Sequence, residues 1–247
     1  MRNLIKGDLI RTLRKVSFWI LFLIMSGVDG LLLMTTLNKG LHDDFSFFAA
    51  ATTYITTGSF VFCLNTLISV YADEFKSSAY ITVIGKGLSR TKLVIAKFID
   101  CHILLIIQYV LSSVVILAMG AIMGHTLRGH FLGIYVFTML SSGSTALISV
   151  AFATIFAFLT ERIPTTLAAY FVSIFIGGVI PAVLNFMPVR IFFSRYYFDS
   201  LNSSALTDFI FGNYAKSICV TIVTFCIYVG IPLFLSTLVF RKKELEL

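Results

Sequence analysis

The chain reads as an all-α integral membrane protein with six transmembrane helices, and three observations predict it. Of its 247 residues, 58% are hydrophobic and only 13% charged, where a soluble domain carries about 25% charged residues. Several apolar runs exceed the roughly 18–20 residues that a helix needs to cross a bilayer. Lys and Arg fall preferentially on alternate connections, as the positive-inside rule requires. A transmembrane β-barrel would need repeated alternating segments of about 10 residues, and none recur.

The spans are predicted over Val16–Leu37, Phe47–Tyr71, Leu93–Met123, Phe131–Leu159, Thr166–Met187 and Ser217–Phe240. Each covers about 30 Å of hydrocarbon at 1.5 Å per residue. One side holds Arg2, Lys6, Arg11, Arg14 and Lys15, then Lys76, Lys86, Arg90, Lys92 and Lys97, then Arg162, and finally Arg241, Lys242 and Lys243. The other side holds Lys39, Arg128, Arg190, Arg195 and Lys216. Both termini are therefore expected in the cytoplasm of a multi-pass protein of the bacterial plasma membrane. The net charge of +7 follows this topology, so no nucleic-acid partner is expected. The first span lacks a small-x-small cleavage site and is not expected to be a removable signal.

The chain is read as one domain over 1–247. Within residues 1–15, Ile5, Leu9, Leu13 and Val16 recur at helical spacing with basic residues off that face, which predicts an amphipathic helix lying on the membrane surface. Residues 188–216 carry eight aromatic side chains. They are expected to form short helices dipping into the outer leaflet and capping the bundle. Cys63, Cys101, Cys219 and Cys226 lie in apolar runs with no metal-ligand spacing. They are expected to pack as small apolar groups, and no metal site is expected.

The connection 72–92 is the polar anomaly. Asp73 and Glu74 suit a helix N-terminus, and Phe75, Ala79 and Val83 make one apolar stripe. Gly85 and Gly87 allow a sharp turn, Ser89 suits an N-cap, and Leu88 and Leu93 stand at staple positions. A stiff helix fixed to the base of a span can transmit force.

The series from Glu74-Phe75-Lys76 through Ser89-Arg90 to Leu93 and Lys97 resembles the second-to-third connection of ABC-2 type transporter permeases. The basic N-terminal helix, Phe18-Trp19 at the start of the first span, the six spans and the long fifth-to-sixth connection extend the resemblance over the chain. It departs from the family at Ser78 and Ala79, where members carry a Gly-Thr-like pair, and at Gly87, where many carry Pro. The resemblance implies a coupling helix over about Asp73–Ile84. Its ATPase-coupling residues would be Asp73, Glu74, Phe75, Lys76, Ala79, Tyr80, Val83 and Arg90. It also implies two separate ATPase subunits, which hold ATP and Mg, and a second permease, either another copy or a paralogue. This chain has no GxxxxGK[ST] loop, binds no cofactor directly and is not expected to be an enzyme. The expected function is ATP-driven export of amphipathic or hydrophobic substrates, peptides first. A drug or lipid exporter of the same family, or a non-transporting sensor or assembly protein, is the alternative.

Thr52, Thr56, Ser59, Cys63 and Thr66 share one face of the second span. Polar groups there face protein or water rather than lipid, which makes Thr52, Thr56, Ser59 and Thr66 candidates for lining a pathway or for bonding between helices. Asp29 is a carboxylate within the first span and a functional candidate by default. Asp100 is expected to pair with Lys97 at i−3, and Gln108 to bond another helix. Asp29, Asp100 and His102 are too few, and too unlike in depth, for an intramembrane enzyme. His125 and His130 are expected in a solvated turn.

Overall fold

The computed structural model describes residues 1–37, 43–77, 79–126, 129–183, 191 and 195–242. They form nine helices: α1 (Arg2–Leu13), α2 (Val16–Leu37), α3 (Asp44–Ser77), α4 (Ala79–Gly85), α5 (Arg90–Ile122), α6 (Gly129–Thr160), α7 (Ile163–Val183), α8 (Phe198–Ile210) and α9 (Tyr214–Lys242). No strand occurs among the described residues. In hydrocarbon a backbone must satisfy its own amides, and a helix does so within one segment. Of the six expected spans, four coincide, among the described residues, with helices long and apolar enough to cross a membrane: α3, α5, α6 and α9. The side chain of Asp29 lies outside the described residues, as does most of 188–194.

At the centre of the bundle, α6 packs against α3, α5, α7, α8 and α9. Its inward face is small: Ala146, Ser149, Val150, Ala151, Ala153 and Ala157 are all buried. Small side chains let neighbouring helices approach closely, which matters in lipid, where apolar burial between helices gives little net drive. Phe18, Phe47, Phe62 and Tyr71 fill the volume around it.

Residues 2–13 are helical, as α1, while Val16, expected on the same apolar face, opens α2 and is exposed. Leu4, Leu9 and Leu13 pack on the core while Arg2, Lys6 and Arg14 are exposed. The corner into α2 is held by Trp19 Nε1, which donates to the Leu13 carbonyl at 2.7 Å. Within 188–216, the structure shows α8. Its Phe209 stacks on Phe137 of α6 at 4.3 Å, and Asn202 Nδ2 donates to Thr145 Oγ1 at 2.8 Å. Gly212, at φ +88°, turns the chain from α8 into α9, a conformation that favours glycine.

Two expectations about side-chain exposure change. His125 is not solvated. It stacks on Phe47 at 4.6 Å, and its Nδ1 lies 3.1 Å from Asp44 Oδ1. Asp44 also accepts from the Thr126 amide at 3.1 Å, which ties the α5–α6 turn to the start of α3. Of the cysteines, Cys63 and Cys101 are buried but Cys219 and Cys226 are exposed along α9. An apolar run does not say which of its faces is covered.

One buried polar seam joins three helices. Gln108 Nε2 of α5 donates to Thr66 Oγ1 at 2.8 Å, and Gln108 Oε1 accepts from Asn65 Nδ2 at 3.0 Å. Asn65 Nδ2 also reaches the Phe18 carbonyl of α2 at 3.3 Å. Gln108 is fully buried, so the side-chain amide that would be costly alone becomes the joint between α2, α3 and α5. Gln108→Leu is expected to lower stability by about 1–2 kcal/mol, read as an earlier midpoint in detergent-mixture unfolding. An unchanged midpoint would show the seam to be energetically idle.

Candidate functional site

Within the segment 72–92, where a helix is expected over Asp73–Ile84, the described residues on either side of Ser78 are helical and Ser78 itself lies outside them. Asp73 to Ser77 are the last turns of α3, and α4 begins at Ala79. Amide bonds from Lys86 to the Thr82 carbonyl (3.1 Å) and from Gly87 to the Ile84 carbonyl (2.9 Å) close α4. The turn itself uses one glycine: Gly87 has φ +91°, whereas Gly85 ends α4 without a positive φ. Ser89 then caps α5, its hydroxyl accepting from the Lys92 amide at 3.4 Å.

An aromatic clasp holds α4 against the bundle. Phe75 stacks on Tyr71 at 5.5 Å and meets Tyr80 and Phe158 edge-on at 6.1 and 6.3 Å. Phe240 of α9 joins the same cluster, 4.8 Å from Phe158 and 6.3 Å from Tyr80. Such ring pairs add about 0.5–1.5 kcal/mol each beyond their burial. The Tyr80 hydroxyl donates to Glu161 Oε2 at 2.6 Å. Burial, and then this hydrogen bond, push the Tyr80 phenol above the usual tyrosine range. Glu161 sits in the α6–α7 turn at φ +54°. Arg90 at the base of α5 donates to the carbonyls of Phe240 (3.0 Å) and Arg241 (3.3 Å), and its guanidinium lies 5.8 Å from the Phe240 ring centre. A cation on the last carbonyls of α9 complements that helix's terminal dipole. The clasp thus connects α4 to α3, α5, α6 and α9.

A buried charge cluster lies beside the clasp. Lys97 of α5 is 1% exposed, and its Nζ contacts Glu74 Oε2 at 2.6 Å and Asp8 Oδ2 at 2.8 Å. Arg11 bridges the same two acids, 3.4 Å from Glu74 and 3.2 Å from Asp8. Lys15 pairs with Asp73 at 2.6 Å and also donates to the Ser69 carbonyl at 3.2 Å. These contacts pin α1 across α3 and α5. The expected Lys97–Asp100 pair does not form. Lys97 turns to the other two acids, and the Asp100 carboxylate is buried with no hydrogen-bond partner among the described residues.

The eight coupling candidates therefore separate by exposure. Glu74 and Tyr80 are buried, Phe75, Ala79, Val83 and Arg90 are half-buried, and Asp73 and Lys76 are exposed. The apolar stripe of Phe75, Ala79 and Val83 turns at least two of its members, Phe75 and Val83, onto the core. The surface open to a partner carries Asp73, Lys76, Thr82 and Lys86, and the buried candidates hold that surface in place.

The polar face of α3 also divides. Thr66 is buried in the Gln108 seam. Thr52 and Ser59 are half-buried and Thr56 is exposed. Their hydroxyls donate back to their own helix, at the carbonyls of Ala49, Thr56 and Thr52 respectively. The structure does not bring these three together with Thr66. Asp8 is the residue that the sequence reading missed. Its signal was its place between Ile5 and Thr12 on the covered face of α1, where an acid demands a buried cation.

No protein-family model matches the chain, and no curated protein matches its sequence.

Lys97→Met is expected to cost about 3–5 kcal/mol, because it strands Glu74 and Asp8 in a dry site. The triple variant Lys97→Met, Glu74→Gln, Asp8→Asn is expected to recover most of that loss. Thermal unfolding of the purified protein in detergent checks both. Equal stability of the single and triple variants would mean that the acids are not held by the lysine.

Proposed function

We propose that the chain is the membrane-spanning subunit of an ATP-driven exporter, with α4 as the contact for a separate ATPase subunit. In this reading α2 and α7 join the four long apolar helices as spans five and six. The α1 end of the bundle, with both termini, then faces the cytoplasm of a bacterial cell, as the distribution of Lys and Arg favours. A second permease, identical or paralogous, completes the pathway. Two ATPase subunits supply ATP and Mg.

One observation carries the reading. The short helix α4 at the end of the bundle is fastened through Tyr80 to α3, to α9 and to the α6–α7 turn. A loop that only joined α3 to α5 would need none of this. Displacing α4 would be felt at once by α6 and α9, whereas a push on a slack loop would be absorbed locally. The exposed residues at its base, Asp73 and Lys76, offer one acid and one base to a docking groove, while Glu74, Phe75 and Tyr80 keep the lever stiff. Substrates of amphipathic or apolar character, peptides first, suit a bundle with few fixed charges away from its α1 end.

Affinity purification of the tagged full chain from its native membrane is expected to bring down a nucleotide-hydrolysing subunit. In that complex Phe75→Ala is expected to cut substrate-stimulated ATP hydrolysis at least tenfold with membrane insertion unchanged. Recovery of the chain without any such subunit, or full stimulation in the variant, would overturn the assignment. If α3 lines a pathway between two permeases, cysteines at Thr52 and Thr56 are expected to react with water-soluble thiol reagents in a background lacking the native cysteines. Unreactive positions in every nucleotide state would make that face lipid-covered instead.

A further inference from the structure

Between α5, α6 and α9 runs a groove of about 890 Å³. Its rim is apolar and open: Leu140, Ile222 and Ile106 are 60%, 56% and 48% exposed. Its floor exists because α6 is glycine-rich there. A Cβ on Gly143 would meet the Tyr109 ring at 3.8 Å, and one on Gly133 the Phe209 ring at 3.9 Å. Both are ordinary contact distances, and both glycines line the groove. Two polar groups interrupt the apolar lining. Half-buried His102 stands at the α1 end, and the buried Ser144 hydroxyl has no hydrogen-bond partner among the described residues.

Shape decides what fits. Along α6 the groove runs from Gly129 to Leu147, about 27 Å at 1.5 Å per residue. Its volume spread over that length gives a slender, laterally open channel with a mean section of roughly 33 Å². An alkyl chain whose carbons contact their neighbours at about 4 Å needs a tube of roughly 15–20 Å². If a methylene takes about the same 30 Å³ as a liquid water, the volume holds roughly 30 of them, about the number in the two chains of one membrane lipid. We propose that this groove is a binding site for the alkyl chains of a membrane lipid, with His102 marking its polar end. Chains lying in it convert the gap beside Gly133 and Gly143 into packed contact, and a lipid's polar linkage gives the imidazole a bonding partner that hydrocarbon alone does not. The assignment uses the crossing length of the helices and the shape of the groove, and does not rest on the exporter reading.

The purified full chain, reconstituted into dioleoylphosphatidylcholine vesicles containing a phosphatidylcholine with a diazirine at the end of one chain, is irradiated and its adducts mapped by mass spectrometry. Adducts are expected on Leu140, Ile222 and Phe225 at several times the level on Val115 and Phe234, which are as exposed but lie off the groove. Gly143→Leu, which fills the floor, and Leu140→Trp, which crosses the rim, are each expected to cut groove adducts several-fold. Labelling of Val115 and Phe234 would stay unchanged, which also reports a preserved fold. Even labelling of all exposed apolar positions would overturn the proposal. So would an unlabelled groove in which Ile222→Cys forms a disulfide dimer, the result expected if a second copy covers this face.

Discussion

An ammonium group with 1% exposure has to be neutralised, and the α1 end of this protein is arranged around that need. Lys97 cannot remain charged among apolar helices without carboxylates at contact distance, since an unpaired buried ion costs several kcal/mol. Glu74 supplies one and Asp8 the other. The first comes from the end of α3 and the second from a helix that would otherwise lie loosely on the bundle. One buried charge thus fixes the position of α1, the register between α3 and α5, and the direction in which α3 leaves the bundle toward α4. Arg11 and Lys15 extend the same pairing outward to Asp73, where water screens it and the contribution is small.

The aromatic clasp works by a different force to the same end. Tyr71, Phe75, Tyr80, Phe158 and Phe240 come from α3, α4, α6 and α9, and no two of those helices can shift without opening ring contacts. Ion pairs are directional and brittle, whereas stacked and edge-on rings can slide before they part. A helix held by both is stiff against small loads and yields as a unit under large ones. Contact with a partner at Asp73 and Lys76 would meet that combination.

Much of this fold was legible in the sequence because lipid leaves the backbone few choices. Long apolar runs become helices, and α3, α5, α6 and α9 follow. Local chemistry was legible too: Ser89 caps α5 as its residue type suggests, and a lone Gln108 within an apolar run finds partners on another helix. The reading failed where partners are remote. A helical i−3 rule offered Asp100 to Lys97, but the acids that hold it are 89 and 23 residues away in the chain. Periodicity likewise revealed that Phe75 and Val83 share a stripe without saying whether bundle or partner covers it. The answer depended on Phe240, which only the folded arrangement brings near. The comparison of Thr66 with Thr56 makes the same point: the two lie on one face of α3, yet one is buried in a seam and the other is exposed.

The bond from Arg90 to the Phe240 carbonyl spans 150 residues, and that separation imposes an order of assembly. At about 5–20 residues per second of synthesis, the acceptor emerges roughly 8–30 s after its donor. Lys97 has no such wait, because Asp8 and Glu74 both precede it in the chain. The nascent protein can therefore discharge its most expensive ion while α5 is still entering the membrane. The base of α5 and the clasp around it stay open until the last helix arrives. Biogenesis would then pass through a species whose charges are already settled while the contacts between α5 and α9 are still unmade.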